Sequence, residues 1–278
     1  MCGSWDFFRS QPSTHPLESD KLSHALRYPV MKTIIALIAT ILLIPLAQSA
    51  DDKQTVLIVV TNYGQMPDGK TTGLWLAEAT HPWQKFVKAG YQVHFASPKG
   101  GNSPIDPRST KKPDAINDQF LNHKAYQNAL KNTKVLKDLD PNNYAAIFFA
   151  GGHGTMWDFP NAAGASEIAG KIYSQGGIVS AVCHGPAALV NLKLPDGTLL
   201  IKGKKVTGFT NSEEEKVGLT KAVPFLLEDK LKSQGASYSS GEDFKLHTVV
   251  SDRLVTGQNP ASAGPAAEAV IKLLKNSR

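Results

Sequence analysis

Continuous apolar runs rich in β-branched residues alternate along this chain with longer amphipathic segments. Residues 55–60 read as a buried strand, and the helical pattern over 74–88 stops at Gly90. Residues 91–96 form the next strand, closed by Ser97-Pro98-Lys99-Gly100-Gly101. A polar stretch over 102–140 holds one or two short helices around 124–131. Apolar residues 144–150 end in Gly151-Gly152, and a helix over 162–174 ends at Gly176-Gly177. Residues 178–182 make a fourth strand and 186–192 a short helix; 205–209 and 248–256 add later strands, and 260–275 is an alanine-rich closing helix. Unbroken apolar strands between helices predict an α/β fold, a mostly parallel sheet with helices on both faces. In such sheets, sites collect at the carboxyl ends of strands.

The first fifty residues do not continue this pattern. Met31-Lys32-Thr33, the apolar run 34–46 and the small-residue end Ala47-Gln48-Ser49-Ala50 have the composition of a secretory signal peptide. The run is too short for a span, which needs roughly 20 residues. Met31 reads as the natural start, 1–30 as an over-extended, disordered gene start, 31–50 as the signal peptide and 51–278 as a single domain, periplasmic or secreted. The chain carries a formal net charge of +6 with its lysines scattered, which argues for a solvated surface and against nucleic-acid binding. Its cysteines are Cys2 and Cys183, so the mature chain has one thiol and no internal disulfide.

That thiol lies in Ala181-Val182-Cys183-His184-Gly185-Pro186, where a strand ends and a helix begins. This is the context of a nucleophile elbow, expected to hold the sulfur strained and exposed beside His184 as base. Helix-start N–H groups are expected to lower its pKa. The glycine-rich turn Gly151-Gly152-His153-Gly154 follows another strand and can bring backbone donors to a ligand, forming an oxyanion hole with the His184 N–H. Glu78, in an apolar neighbourhood near a helix start, can keep its proton if buried. Glu213, Glu214 and Glu215 offer a carboxylate to orient His184, and spacing alone does not choose among them. His81, His94, His153 and His247 are too dispersed along the chain for a zinc site, so neither metal nor cofactor is expected.

Seven stretches together resemble the ThiJ/PfpI superfamily, the class I glutamine amidotransferase-like proteins. They are Glu78-Ala79-Thr80-His81-Pro82, Ser97-Pro98-Lys99-Gly100-Gly101, Pro104-Ile105-Asp106-Pro107, 150–155, 181–186, 207–210 and 256–262. Within it they are most similar to the heat-shock-protein-31-like branch, known as glutathione-independent glyoxalase III and as a chaperone. The resemblance implies a three-layer flavodoxin-like sandwich, a nucleophile at Cys183 and a triad histidine at His184. It also implies a triad acid at Glu214 (Glu213 or Glu215 by a one-residue slip) and a conserved acid at Glu78. Gly152 and His184 supply its oxyanion backbone, with Gly151 and His153 beside the substrate. The activity implied is conversion of methylglyoxal to lactate, or removal of early glycation adducts, with homodimerisation common in the family. Two other uses of the scaffold stay open: a cysteine peptidase or amidase, and an envelope holdase with an apolar patch including Trp75, Trp83 or Trp157. Relatives of this branch usually work inside cells, whereas this chain carries a leader.

Overall fold

The computed structural model of the chain describes residues 54–277; the leader and signal-peptide expectations lie outside them. The elements in order are β1 (Thr55–Val59), α1 (Ala77–Lys88), β2 (Gln92–Ser97), α2 (Ala115–Leu121), α3 (Lys124–Lys131), β3 (Lys134–Val135), β4 (Ala146–Phe149), α4 (Thr155–Asp158) and α5 (Ala165–Ser174). There follow β5 (Ile178–Val182), β6 (Lys205–Val206), α6 (Asn211–Lys216), α7 (Leu227–Ser233), β7 (Ser237–Tyr238), β8 (Thr248–Ser251), β9 (Leu254–Gly257) and α8 (Ala263–Asn276).

Seven strands form one sheet in the order β3-β2-β1-β4-β5-β9-β8, parallel except for β8 against β9. The chain first adds strands on one side of β1, then crosses to β4 on the other. That reversal opens a crevice at the carboxyl ends of the neighbouring central strands.

Strand alternation divides the core. Val56, Ile58, Phe148 and Val182 pack with Phe86 of α1 and Val270 of α8 on one face. Leu57, Val59, Ile147, Phe149 and Ala181 pack with Ile168 and Ile172 of α5 and Leu227 and Leu231 of α7 on the other. Both faces of each central strand are thus covered, which is why these segments read as unbroken apolar runs. The three-layer α/β architecture expected from the pattern is the one observed.

Local differences have local causes. Residues 248–256 are a hairpin rather than one strand, because Asp252 turns the backbone at φ 54° and pairs Ser251 with Leu254. The strand expected over 205–209 stops at Val206, since a second sheet pairs only β6 with β7. The helix placed at 74–88 starts at Ala77. Leu74 is held earlier in a bridge to Ile105. Of the tryptophans offered for an apolar patch, Trp83 is buried and Trp75 and Trp157 are half-buried; among the described residues the large exposed apolar side chains are Val87, Val217, Phe244, Leu246 and Val250. Among the described residues no helix is long and apolar enough to cross a membrane.

Candidate active site

Cys183 follows directly on β5 with φ 58°, a left-handed conformation costly for a residue with a Cβ. Its neighbours enforce it. The Cys183 N–H donates to the Gly257 carbonyl at 2.9 Å, and its own carbonyl accepts from Phe209 N–H at 2.8 Å. Gly185 lets the turn press against β4, where a Cβ would overlap the Phe149 carbonyl oxygen. The strain expected of an elbow is therefore present, and the exposure is not. Only 3% of the residue is accessible, because it is packed into the core.

His184 stands next to the sulfur, Nδ1 at 3.4 Å from Sγ. Its Nε2 lies 2.8 Å from Glu214 Oε2. Phe209 covers the imidazole, ring centroids 4.3 Å apart. Glu214 reaches inward from α6, whose first turn is fixed by a capping box between Thr210 and Glu213.

That box settles which carboxylate faces His184. Glu213 is fully buried elsewhere: Oε2 accepts from Thr210 N–H, and Oε1 accepts from Phe244 N–H and the Gln258 and Asn259 amides. It ties α6 to the loops beneath and is spent there. Glu215 is exposed. Of the three candidates, the helix turn sends only Glu214 to the histidine.

Glu78, expected to keep its proton if buried, is completely enclosed. Its Oε2 accepts from Gly151 N–H at 2.9 Å, while Oε1 lacks a partner of good geometry. Burial pushes its pKa up to about 8, although the neighbouring Cys183 thiol and the Gly151 N–H pull the other way. Burial also raises the Cys183 pKa well above its ordinary value, and the Glu78 carboxyl reinforces this. The expectation of a depressed thiol pKa is thus reversed. The His184 N–H does favour the thiolate, but desolvation and a carboxyl neighbour outweigh it.

The glycine turn divides its donors. Gly151 N–H is committed to Glu78, so it is not free for an oxyanion. A Cβ at Gly151 would sit 2.6 Å from that carboxylate oxygen and 2.8 Å from His184 N. Gly152, at φ 103°, keeps an N–H with no acceptor among the described residues. The His153 side chain, expected beside the substrate, is instead buried behind the histidine. Its ring centroid is 4.0 Å from that of His184, and its Nε2 is 2.9 Å from Glu214 Oε1. Two imidazoles distant from each other in sequence thus share one carboxylate. Burial alone would raise the Glu214 pKa, but the two imidazoles more than reverse it and hold Glu214 ionised. Burial and the adjacent His184 lower His153 to about 4. The three side chains lie close enough for an ion to bridge them, but each Glu214 oxygen already faces a ring nitrogen at hydrogen-bonding distance. The three side chains form a hydrogen-bonded row.

The row has an end that sequence reasoning missed. Arg108 Nη2 lies 3.2 Å from His153 Nδ1, and its guanidinium is clamped by buried Asp106. The only signal for it was the Pro104-Ile105-Asp106-Pro107 stretch, to which no role attached.

The sequence model of the DJ-1/PfpI family matches residues 71–273. Glyoxalase 3 of Candida albicans is 42% identical over 229 residues, spanning 78% of this chain and 96% of its own. Glutathione-independent glyoxalase HSP31 of Saccharomyces cerevisiae is 37% identical over 234 residues, 80% of this chain and 98% of its own. Among solved structures, Rapid Encystment Protein 24 KDa of Francisella tularensis superposes with a TM-score of 0.77 at 43% identity, covering 80% and 99% of the two chains. Glyoxalase III of Candida albicans gives 0.74 at 38%, covering 80% and 98%.

Proposed function

This chain belongs to the DJ-1/PfpI family, and on that basis we propose that it is a glutathione-independent glyoxalase that turns methylglyoxal and similar 2-oxoaldehydes into 2-hydroxy acids. The supporting relatives are named as glyoxalases, two of them as glutathione-independent. The observation that carries the mechanism is the line Cys183–His184–Glu214, at 3.4 and 2.8 Å, with a buried carboxyl against the same sulfur.

At neutral pH the thiol holds its proton, so ionisation accompanies attack. His184 Nδ1 takes the thiol proton as sulfur bonds to the aldehyde carbon, and the Gly152 N–H meets the developing oxyanion. His184 returns that proton to the oxygen, giving a neutral hemithioacetal. It then removes the carbon-bound proton while Glu78, protonated below about pH 8, donates to the neighbouring ketone oxygen. The enediol collapses as His184 delivers its proton to the second carbon and Glu78 recovers one from the first oxygen. A thioester of lactate remains on Cys183. Water, deprotonated by His184, releases lactate and the thiol. The balance is one methylglyoxal and one water to one lactic acid, with no external oxidant.

The burial of Cys183 favours a small aldehyde over the peptidase or amidase alternative, because a polypeptide carbonyl would have to reach an enclosed sulfur. A holdase role is compatible with the same chain. Phe244 and Leu246 expose apolar surface on one loop, and aggregation suppression that survives Cys183→Ala is its mark. The leader pattern over 31–50 makes export part of the proposal, read by fractionation of cells carrying the full gene. The activity itself is tested by lactate formation from methylglyoxal without glutathione. The full chain is expected to be active and Cys183→Ala inactive; equal rates would overturn it.

A further inference from the structure

Asp106, Arg108 and His153 take no part in the steps above, yet they complete the same polar row. Asp106 is fully buried; its backbone N–H donates to the Leu74 carbonyl, and its carboxylate accepts Arg108 N–H at 2.9 Å. The guanidinium docks on it through Nε, at 3.0 and 3.2 Å from the two oxygens, and through Nη2 at 2.6 Å. The segment lies against the 151–154 loop because Leu74 pairs with Pro104 and Trp75 with Gly151. Gly73, at φ 152°, permits this, since a Cβ there would overlap the Pro104 carbonyl oxygen.

The order of donors along the row then follows from one fact: a guanidinium only donates. Arg108 Nη2 faces His153 Nδ1, so Nδ1 accepts and the His153 proton sits on Nε2. His153 Nε2–H donates to Glu214 Oε1 at 2.9 Å. Glu214, kept anionic, accepts at Oε2 from His184, so the His184 proton also sits on Nε2. The bare Nδ1 of His184 is left facing the sulfur at 3.4 Å. The reverse order would set an Nδ1–H of His153 against a guanidinium N–H, donor against donor. A doubly protonated His153 is disfavoured by burial, by His184 and by the Arg108 charge.

We propose that Arg108 and His153 are positioning residues which, through Glu214, fix the tautomer of His184 so that its Nδ1 is the base toward Cys183. The assignment rests on the proposed reaction for its catalytic meaning, but not for its geometry.

Two readouts on the full-length chain separate them. Imidazole nitrogen NMR at pH 7 should show protonated Nε2 and bare Nδ1 on both His153 and His184, with His153 still singly protonated near pH 5. In Arg108→Met, His153 should titrate closer to an ordinary histidine and both rings should populate a second tautomer. Its kcat for methylglyoxal should fall about 10- to 100-fold, the scale for losing a partner that orients a working histidine. KM should stay within about twofold, and the acid limb of the pH profile should move to higher pH. Arg108→Lys, which keeps an obligate donor, should recover most of the loss. An Nδ1–H tautomer on His153 in the unsubstituted chain would overturn the inference. So would an Arg108→Met protein with unchanged His184 nitrogen shifts and unchanged kcat. If the chain turns over no methylglyoxal, the proposed reaction fails, and the nitrogen shifts still decide the tautomer order.

Discussion

Glu78→Gln separates what the buried carboxyl costs the fold from what it gives the chemistry. The carboxyl is enclosed, and its pKa rises from 4.5 to about 8, with burial the largest cause. A raised carboxyl pKa means that the folded state binds the extra proton between those two values. Its contribution to stability is full below pH 4.5 and is lost as pH rises through 8. At about 1.4 kcal/mol per pH unit the loss is bounded near 5 kcal/mol, and sharing of the proton with the Cys183 thiol reduces it to a few. Glutamine keeps the shape, can accept from Gly151 N–H and does not ionise. Urea denaturation of both proteins at pH 5, 7 and 8.5 should therefore show Glu78→Gln gaining on the unsubstituted chain by about 2–4 kcal/mol across the range. Its glyoxalase activity should drop about 100-fold or more, because the donor to the ketone oxygen is gone. A stability difference flat in pH would show that Glu78 titrates normally, and the neutral-acid role would fall with it.

Other substitutions test separate links. Glu213→Gln should destabilise by about 2–4 kcal/mol, since it sets an amide donor among the donors that Glu213 now receives. Glu214→Gln should cost less in stability but about 1,000-fold or more in kcat, with the imidazole left in the wrong tautomer. Gly185→Ala should lower stability by about 1–3 kcal/mol through the overlap with the Phe149 carbonyl, read as a drop in denaturation midpoint. Asp158, which accepts from Thr61 Oγ1 and Asn62 N–H, is raised by burial to about 6. Its contribution should fade as pH rises through 6, and Asp158→Asn should flatten that slope in thermal melts.

The sheet was legible because its strands are covered on both faces and so read as unbroken apolar runs, and β5 matches the expected 178–182. The elbow was legible because a cysteine between a strand and a Gly-Pro pair has few other uses. Burial was not legible: nothing local to Cys183 says that the thiol will be enclosed, and burial reverses the sign of its pKa shift. The choice among Glu213, Glu214 and Glu215 needed the helix turn, since a shift of one residue rotates a side chain by about 100°. His153 was legible as a site residue but its place behind His184 was not, and Arg108 was out of reach, because they meet the row only through contacts 45 and 61 residues apart. Their order depends on proton bookkeeping that spacing does not carry.

The sulfur itself can be watched. A single turnover with the full chain in excess over methylglyoxal, quenched in acid and digested, should yield a lactoyl thioester on the peptide carrying Cys183. It should appear and decay at rates that match lactate formation. Lactate produced at the normal rate with that peptide never acylated, or produced equally by Cys183→Ala, would contradict covalent catalysis at Cys183.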